Sequence, residues 1–131
     1  MLDEMKRELI AYRLNRAKEC LELAEELIER DILTAANRLY YAIYYALRSV
    51  LAIEGVDFKK HSGVIAYFNK NYIKTGEFDK KYSELIFSTE HIRIKSDYDD
   101  LYVVSKKTVI YNLIEAREFY DEIKKYIEQK I

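Results

Sequence analysis

The chain has 131 residues, no proline, three glycines, and 22 Lys and Arg against 23 Asp and Glu. That length fits one domain, here residues 1–131, around one buried core; the composition favours helices over sheets, and the near-neutral charge excludes a global field drawing in nucleic acid or an anionic membrane. Cys20 is the single cysteine, which excludes an intramolecular disulfide; Met1 to Ile10 is charged throughout and no apolar run reaches transmembrane length, so the expectation is a soluble cytoplasmic protein away from membranes.

Leu14, Ala17, Leu21, Ala24 and Ile28 recur at alternating spacings of three and four, so the first helix is expected from about Asp3 to Arg30. Asp31 and Thr34 offer caps for a second helix reaching Glu54, where Gly55 suits a left-handed stop. Ala35, Ala36, Leu39, Ala42, Ile43, Ala46, Leu47, Val50 and Leu51 spread around most of its circumference, which makes it the centre of the molecule. A shorter helix is expected from a cap at His61 or Ser62 to about Tyr72, with a turn at Gly76. Phe78, Tyr82, Leu85, Thr89 and Ile92 carry a fourth helix, and Ser105 caps a fifth whose stripe is Val109, Leu113, Ala116, Tyr120, Ile123 and Ile127. Short connections make the whole an all-α, up-and-down antiparallel bundle of about five helices.

Charge is uneven along this frame. Phe58 to Tyr82 carries Lys59, Lys60, Lys70, Lys74, Lys80 and Lys81 against Glu77 and Asp79, a weak basic footprint. On the second helix Arg38, Tyr41, Tyr45 and Arg48 share one face and Asn37, Tyr40, Tyr44, Leu47 and Leu51 the neighbouring one. Either the tyrosines pack the core with the arginines stacked on them, or the face holds a base and a phosphate.

The segment RIKSDYDD, Arg93 to Asp100, sets three carboxylates where the fourth helix ends, although a helix C-terminus disfavours negative charge. Arg93 and Asp97 are four apart in the weaker, base-first order, which contributes only a few tenths of a kcal/mol when exposed. Two structural explanations remain. Asp99 or Asp100 caps the next turn, or Asp97 is buried against a cation of another helix, Arg38 first, which would build a polar cleft between the second and fourth helices. The chain has no Gly-rich phosphate loop and no nucleophile elbow. Two histidines and one cysteine are too few for the usual zinc site, and Asp97, Asp99 and Asp100 lack the Glu-x-x-His partners of bundle di-metal sites, so no metal or other cofactor is expected.

NRLYYAIYYALRSVLAIEGVDFKKHSGVIAYF, then KTGEFDKKYSELI, then RIKSDYDD together resemble the HEPN superfamily, in its small stand-alone prokaryotic branch, over about Leu14 to Ile123. The resemblance implies a helical bundle that commonly pairs with itself through the helices bearing these motifs, and an association with nucleotide or RNA binding. Many members look like metal-independent ribonucleases in which an Arg is followed after four to six residues by a His; others are similar to partners of small nucleotidyltransferases in toxin–antitoxin modules. Arg93 stands in the arginine position here, but its window reads Asp97, Tyr98, Asp99 and Asp100, with Tyr98 where the His would be. A tyrosine titrating near pH 10 is a poor base at neutral pH.

The resemblance and the residues together point to a homodimeric binding module for a nucleotide, an RNA or a nucleotidyltransferase partner, without catalysis of its own. Its polar cleft would comprise Asn37, Arg38, Tyr41, Tyr45, His61, Arg93, Asp97 and Tyr98. The alternatives are a ribonuclease using Arg93 and Tyr98, and a purely structural helical dimer.

Overall fold

The computed structural model describes residues 3–131. Five α-helices follow in order: α1 Glu4–Leu27, α2 Ile32–Glu54, α3 His61–Phe68, α4 Lys81–Tyr98 and α5 Lys106–Lys130, with a π-helical turn, Asn69–Ile73, continuing α3. There is no strand among the described residues. Three starts are capped as their chemistry dictates, by carboxylates or a hydroxyl taking an orphan backbone N–H. Asp3 accepts from the Lys6 amide at 2.8 Å, Asp31 from Thr34 at 3.2 Å and Ser105 from Thr108 at 3.3 Å. Gly55 ends α2 at φ 72°, the left-handed conformation that a Cβ disfavours.

Thirteen of the 23 residues of α2 are buried, and this helix touches α1, α3, α4 and α5, which makes it the hub of the bundle. Its small residues Ala35, Ala36, Ala42 and Ala46 let neighbours approach, while Leu39, Leu47, Val50 and Leu51 fill the space between them. The α4–α5 pair is antiparallel in close register: Lys81 donates to Glu118 at 2.7 Å and Asn112 to Ser88 at 3.1 Å.

Two boundaries differ from expectation. α4 begins at Lys81 rather than near Phe78: the Phe78 amide bonds back to the Tyr72 carbonyl at 2.9 Å, while its ring packs on Phe68 and Phe119. It holds helical spacing because it belongs to the core, although its backbone is a loop. The N-cap of α3 is Lys60 with no side-chain hydrogen bond, because the His61 imidazole is turned inward.

Candidate functional site

The cluster is built on α2 by spacing. Tyr40, Tyr44 and Arg48 lie four residues apart and so share one edge of the helix. The start of α3 brings His61 against that edge. The imidazole stacks on Tyr44 with centroids 4.1 Å apart, and the Tyr40 hydroxyl meets its Nδ1 at 2.8 Å. From the other side α4 delivers Arg93, whose guanidinium lies 4.6 Å above the Tyr40 ring, a cation–π contact. Arg48 lies 5.5 Å from the Tyr44 ring. The result is a compact triangle of two tyrosines and a histidine, with centroids 5.8, 5.8 and 4.1 Å apart and a guanidinium over each tyrosine.

Burial fixes the proton positions. Tyr40 is 1% exposed, and desolvation pushes its phenol well above the usual range, so it stays protonated. A buried hydroxyl proton needs an acceptor, and Nδ1 of His61 is the one partner it has among the described residues. Tyr40 therefore donates to Nδ1, and the neutral ring carries its hydrogen on Nε2. Burial first, and then the charges of Arg93 and Arg48, hold His61 below its ordinary pKa, so the ring is neutral at pH 7. It presents a donor, not a base.

The two arginines are differently placed. Arg48 donates to Asp57 at 2.9 Å; the same carboxylate accepts from Arg13 at 3.2 Å, and Arg13 also holds the Arg48 carbonyl at 2.8 Å. Burial works against ionisation of Asp57, but the Phe58 amide and the two guanidiniums outweigh it and keep the carboxyl below its ordinary pKa. Arg48 is thus tied to Asp57 through one terminal nitrogen, while its Nε, like that of Arg93, is buried without a partner. Arg93 has only Asp97, one turn on at 3.6 Å, with its own side chain 18% exposed and that of Asp97 51% exposed; its Nε is buried with no partner. Its terminal nitrogens have no partner besides Asp97 among the described residues, an arrangement suited to an anionic oxygen.

Among the residues expected in the cleft, Arg93 and His61 meet through Tyr40. Asn37 and Asp97 line a recess of about 270 Å³ with Leu33, Thr34 and Ser96. Arg38 does not pair with Asp97 as anticipated: its guanidinium is held by Asn37 Oδ1 at 3.2 and 2.7 Å and lies 5.2 Å from the Tyr41 ring. Arg38 and Arg93 thus sit on adjacent, edge-to-face tyrosines whose centroids are 5.1 Å apart, joined by aromatic rings rather than by a shared carboxylate. A neighbour one residue away reaches Arg38 more cheaply than a half-exposed Asp97 on another helix. Tyr45 turns to α1, under Arg16 at 5.4 Å, and Tyr98 is 84% exposed; neither joins the cluster. The carboxylates ending α4 are explained locally: Asp97 reaches back to Arg93, and Asp99 accepts the Leu101 amide at 3.0 Å. No metal-ligand group of three or more His, Cys, Asp or Glu side chains occurs among the described residues, and none of their helices is long and apolar enough to cross a membrane.

Tyr40, Tyr44, Arg48 and Asp57 join the cluster without being among the residues expected in the cleft. The four-residue spacing of the first three is a usable signal, whereas nothing local marks Asp57.

Comparison with known proteins agrees with this architecture. The HEPN domain model matches residues 10–126. The chain is 36% identical to a UPF0332 protein of Thermotoga maritima over 94% of each chain. Two proteins of Methanocaldococcus jannaschii, each named "Putative toxin", are 33% identical over 89% of this chain and 80% of theirs, and 31% identical over 98% and 96%. With the family model spanning nearly the whole bundle and the relatives matched almost end to end, the chain belongs to the HEPN family.

Proposed function

We propose that this protein is the HEPN member of a toxin–antitoxin-type module, a homodimer that binds RNA through a phosphate at Arg93 and is partnered by a small nucleotidyltransferase. The observation that carries the RNA reading is the Arg93 guanidinium. It lies 4.6 Å from the centre of the Tyr40 ring with one loose carboxylate contact, while His61, on the same tyrosine, is held as an Nε2–H donor. A planar cation with unspent donors, fixed by an aromatic ring, is pre-organised for a phosphodiester oxygen and loses little side-chain entropy on binding it. The toxin-named relatives support the module. Phe87, Ile94 and Tyr98, seven and four residues apart on the outer face of α4 and 69%, 41% and 84% exposed, give that helix an apolar surface for self-association.

Binding without turnover fits this geometry better than hydrolysis. A general base needs a free lone pair within reach of the proton it takes, and Tyr40 occupies the one on Nδ1 while Nε2 carries hydrogen. Tyr98 is exposed and stands outside the cluster. The test is a labelled single-stranded RNA incubated with the protein in EDTA: the strand is retained by wild type, released by Arg93→Ala, and uncut by either. Cleavage that depends on Arg93 would overturn the binding-only reading, and equal retention by both proteins would overturn the assignment of Arg93.

A further inference from the structure

A second concavity lies apart from the cluster, in the groove between α4 and α5. It holds about 410 Å³ and is lined by Lys81, Glu84, Leu85 and Ser88 from one helix and by Lys107, Thr108, Tyr111, Asn112 and Glu115 from the other. Asn112 is the informative residue. It is 3% exposed and sits beside Val109, Leu113 and Ala116 in an otherwise apolar stripe. Its Nδ2 donates to Ser88 Oγ at 3.1 Å, which uses one of two amide protons, and Oδ1, which is not sealed from solvent, makes no hydrogen bond among the described residues. One N–H and one C=O remain, the complement of a peptide unit.

The charges on the rim say which ligand fits. Lys81 is taken by Glu115 and Glu118, and the Tyr111 hydroxyl by Glu115 at 3.0 Å, which fixes that ring as a wall. Lys107 and Glu84 have no ion pair among the described residues. Lys107 stands in the first turn of α5, where free backbone N–H groups add positive potential. Ser88 and Asn112 face each other across antiparallel helices. Glu84 therefore lies about 6 Å along the groove in one direction and Lys107 about 7 Å in the other, at a rise of about 1.5 Å per residue. The backbone positions of Glu84 and Lys107 are thus offset by about 13 Å along the helix axes, the span of about four residues of extended chain at about 3.3 Å each.

We infer that the α4–α5 groove is a docking site for an extended peptide segment of a partner protein. The segment places a basic side chain on Glu84 and an acidic one, four residues away, on Lys107, with its backbone on Asn112 and an apolar side chain between Leu85 and Tyr111. A mononucleotide suits the groove less well, because its two negative charges would meet one free cation and one free carboxylate among the described residues. The inference does not rest on the RNA reading of the Arg93 cluster.

The experiment titrates the full-length ¹⁵N-labelled protein with the blocked pentapeptide Lys-Ala-Leu-Ala-Asp, and separately with adenosine monophosphate and with Gln-Ala-Leu-Ala-Asn. The charged peptide should shift the amides of Ser88, Lys107, Tyr111 and Asn112 and bind at least fivefold more tightly than the uncharged one. Glu84→Gln and Lys107→Glu, both at the groove rim, should each weaken it five- to tenfold. Asn112→Ala should weaken both peptides alike, and its fold is checked by the unchanged dispersion of the remaining amides. No shift with the charged peptide at millimolar concentration, equal binding of the two peptides, or a response to the nucleotide alone would each overturn the inference.

Discussion

Replacing Tyr40 by Phe removes one oxygen atom from the centre of the cluster and keeps the ring that Arg93 and Tyr44 pack against. The hydroxyl lost is the donor to His61 Nδ1 at 2.8 Å. A hydrogen bond of this kind contributes about 1 kcal/mol net, and the stranded acceptor adds part of its desolvation cost, reduced because His61 is only partly buried; the sum is about 1–2 kcal/mol. For a domain of this size that lowers Tm by about 4–8 °C. Because the bond stabilises the neutral imidazole, its loss also raises the His61 pKa towards the ordinary value of about 6.5. The sign of the linkage follows. In the wild type His61 titrates below its unfolded value, so the unfolded chain binds more protons, and the stability this ring confers above pH ~6.5 is lost as pH falls towards the folded pKa. Tyr40→Phe should flatten that slope. Urea denaturation between pH 5 and 8, together with imidazole ¹⁵N shifts, measures both effects. An Nδ1–H tautomer in the wild type, or a His61 pKa that falls on substitution, would refute the assignment of the proton.

Three further substitutions probe the surrounding frame. Asp57→Asn leaves Arg13, whose side chain is 7% exposed, beside Arg48 without a countercharge, and should cost about 1–2 kcal/mol in urea unfolding, less than a fully buried pair because Asp57 itself is half exposed. Gly55→Ala puts a Cβ at φ 72° and should lower stability by about 1 kcal/mol, with the loss confined to unfolding midpoints and absent from RNA retention. Tyr98→Phe, at an exposed ring outside the cluster, should leave both stability and RNA retention within error, whereas a large loss of retention would move the site to the end of α4.

Much of the architecture was written in local signals. The Asp31 and Ser105 caps, the left-handed Gly55 and the all-round apolar surface of α2 are each decided within a few residues, so spacing and turn chemistry suffice to read them. The site was only half legible for the opposite reason. That α2 and α4 converge follows from the bundle, but which tyrosine receives Arg93 depends on rotation about the helix axes, and a difference of one residue, Tyr40 in place of Tyr41, lies within about 100° of turn. His61 looked like a cap because it begins a helix; its real constraint is the buried Tyr40 hydroxyl 21 residues earlier. Charge makes Arg38 the first candidate to meet Asp97, one of two explanations the sequence leaves open, and the structure satisfies it with the adjacent Asn37 instead.

RNA binding at this cluster depends most heavily on Arg93 acting as the anion contact. The direct measurement is the affinity of a fluorescent single-stranded RNA for wild-type protein and for Arg93→Gln, followed by anisotropy from 50 to 300 mM salt. Loss of one phosphate contact should reduce the slope of log K against log salt by about 0.7 for a single strand and weaken binding at every concentration. Superimposable curves for the two proteins would contradict the account.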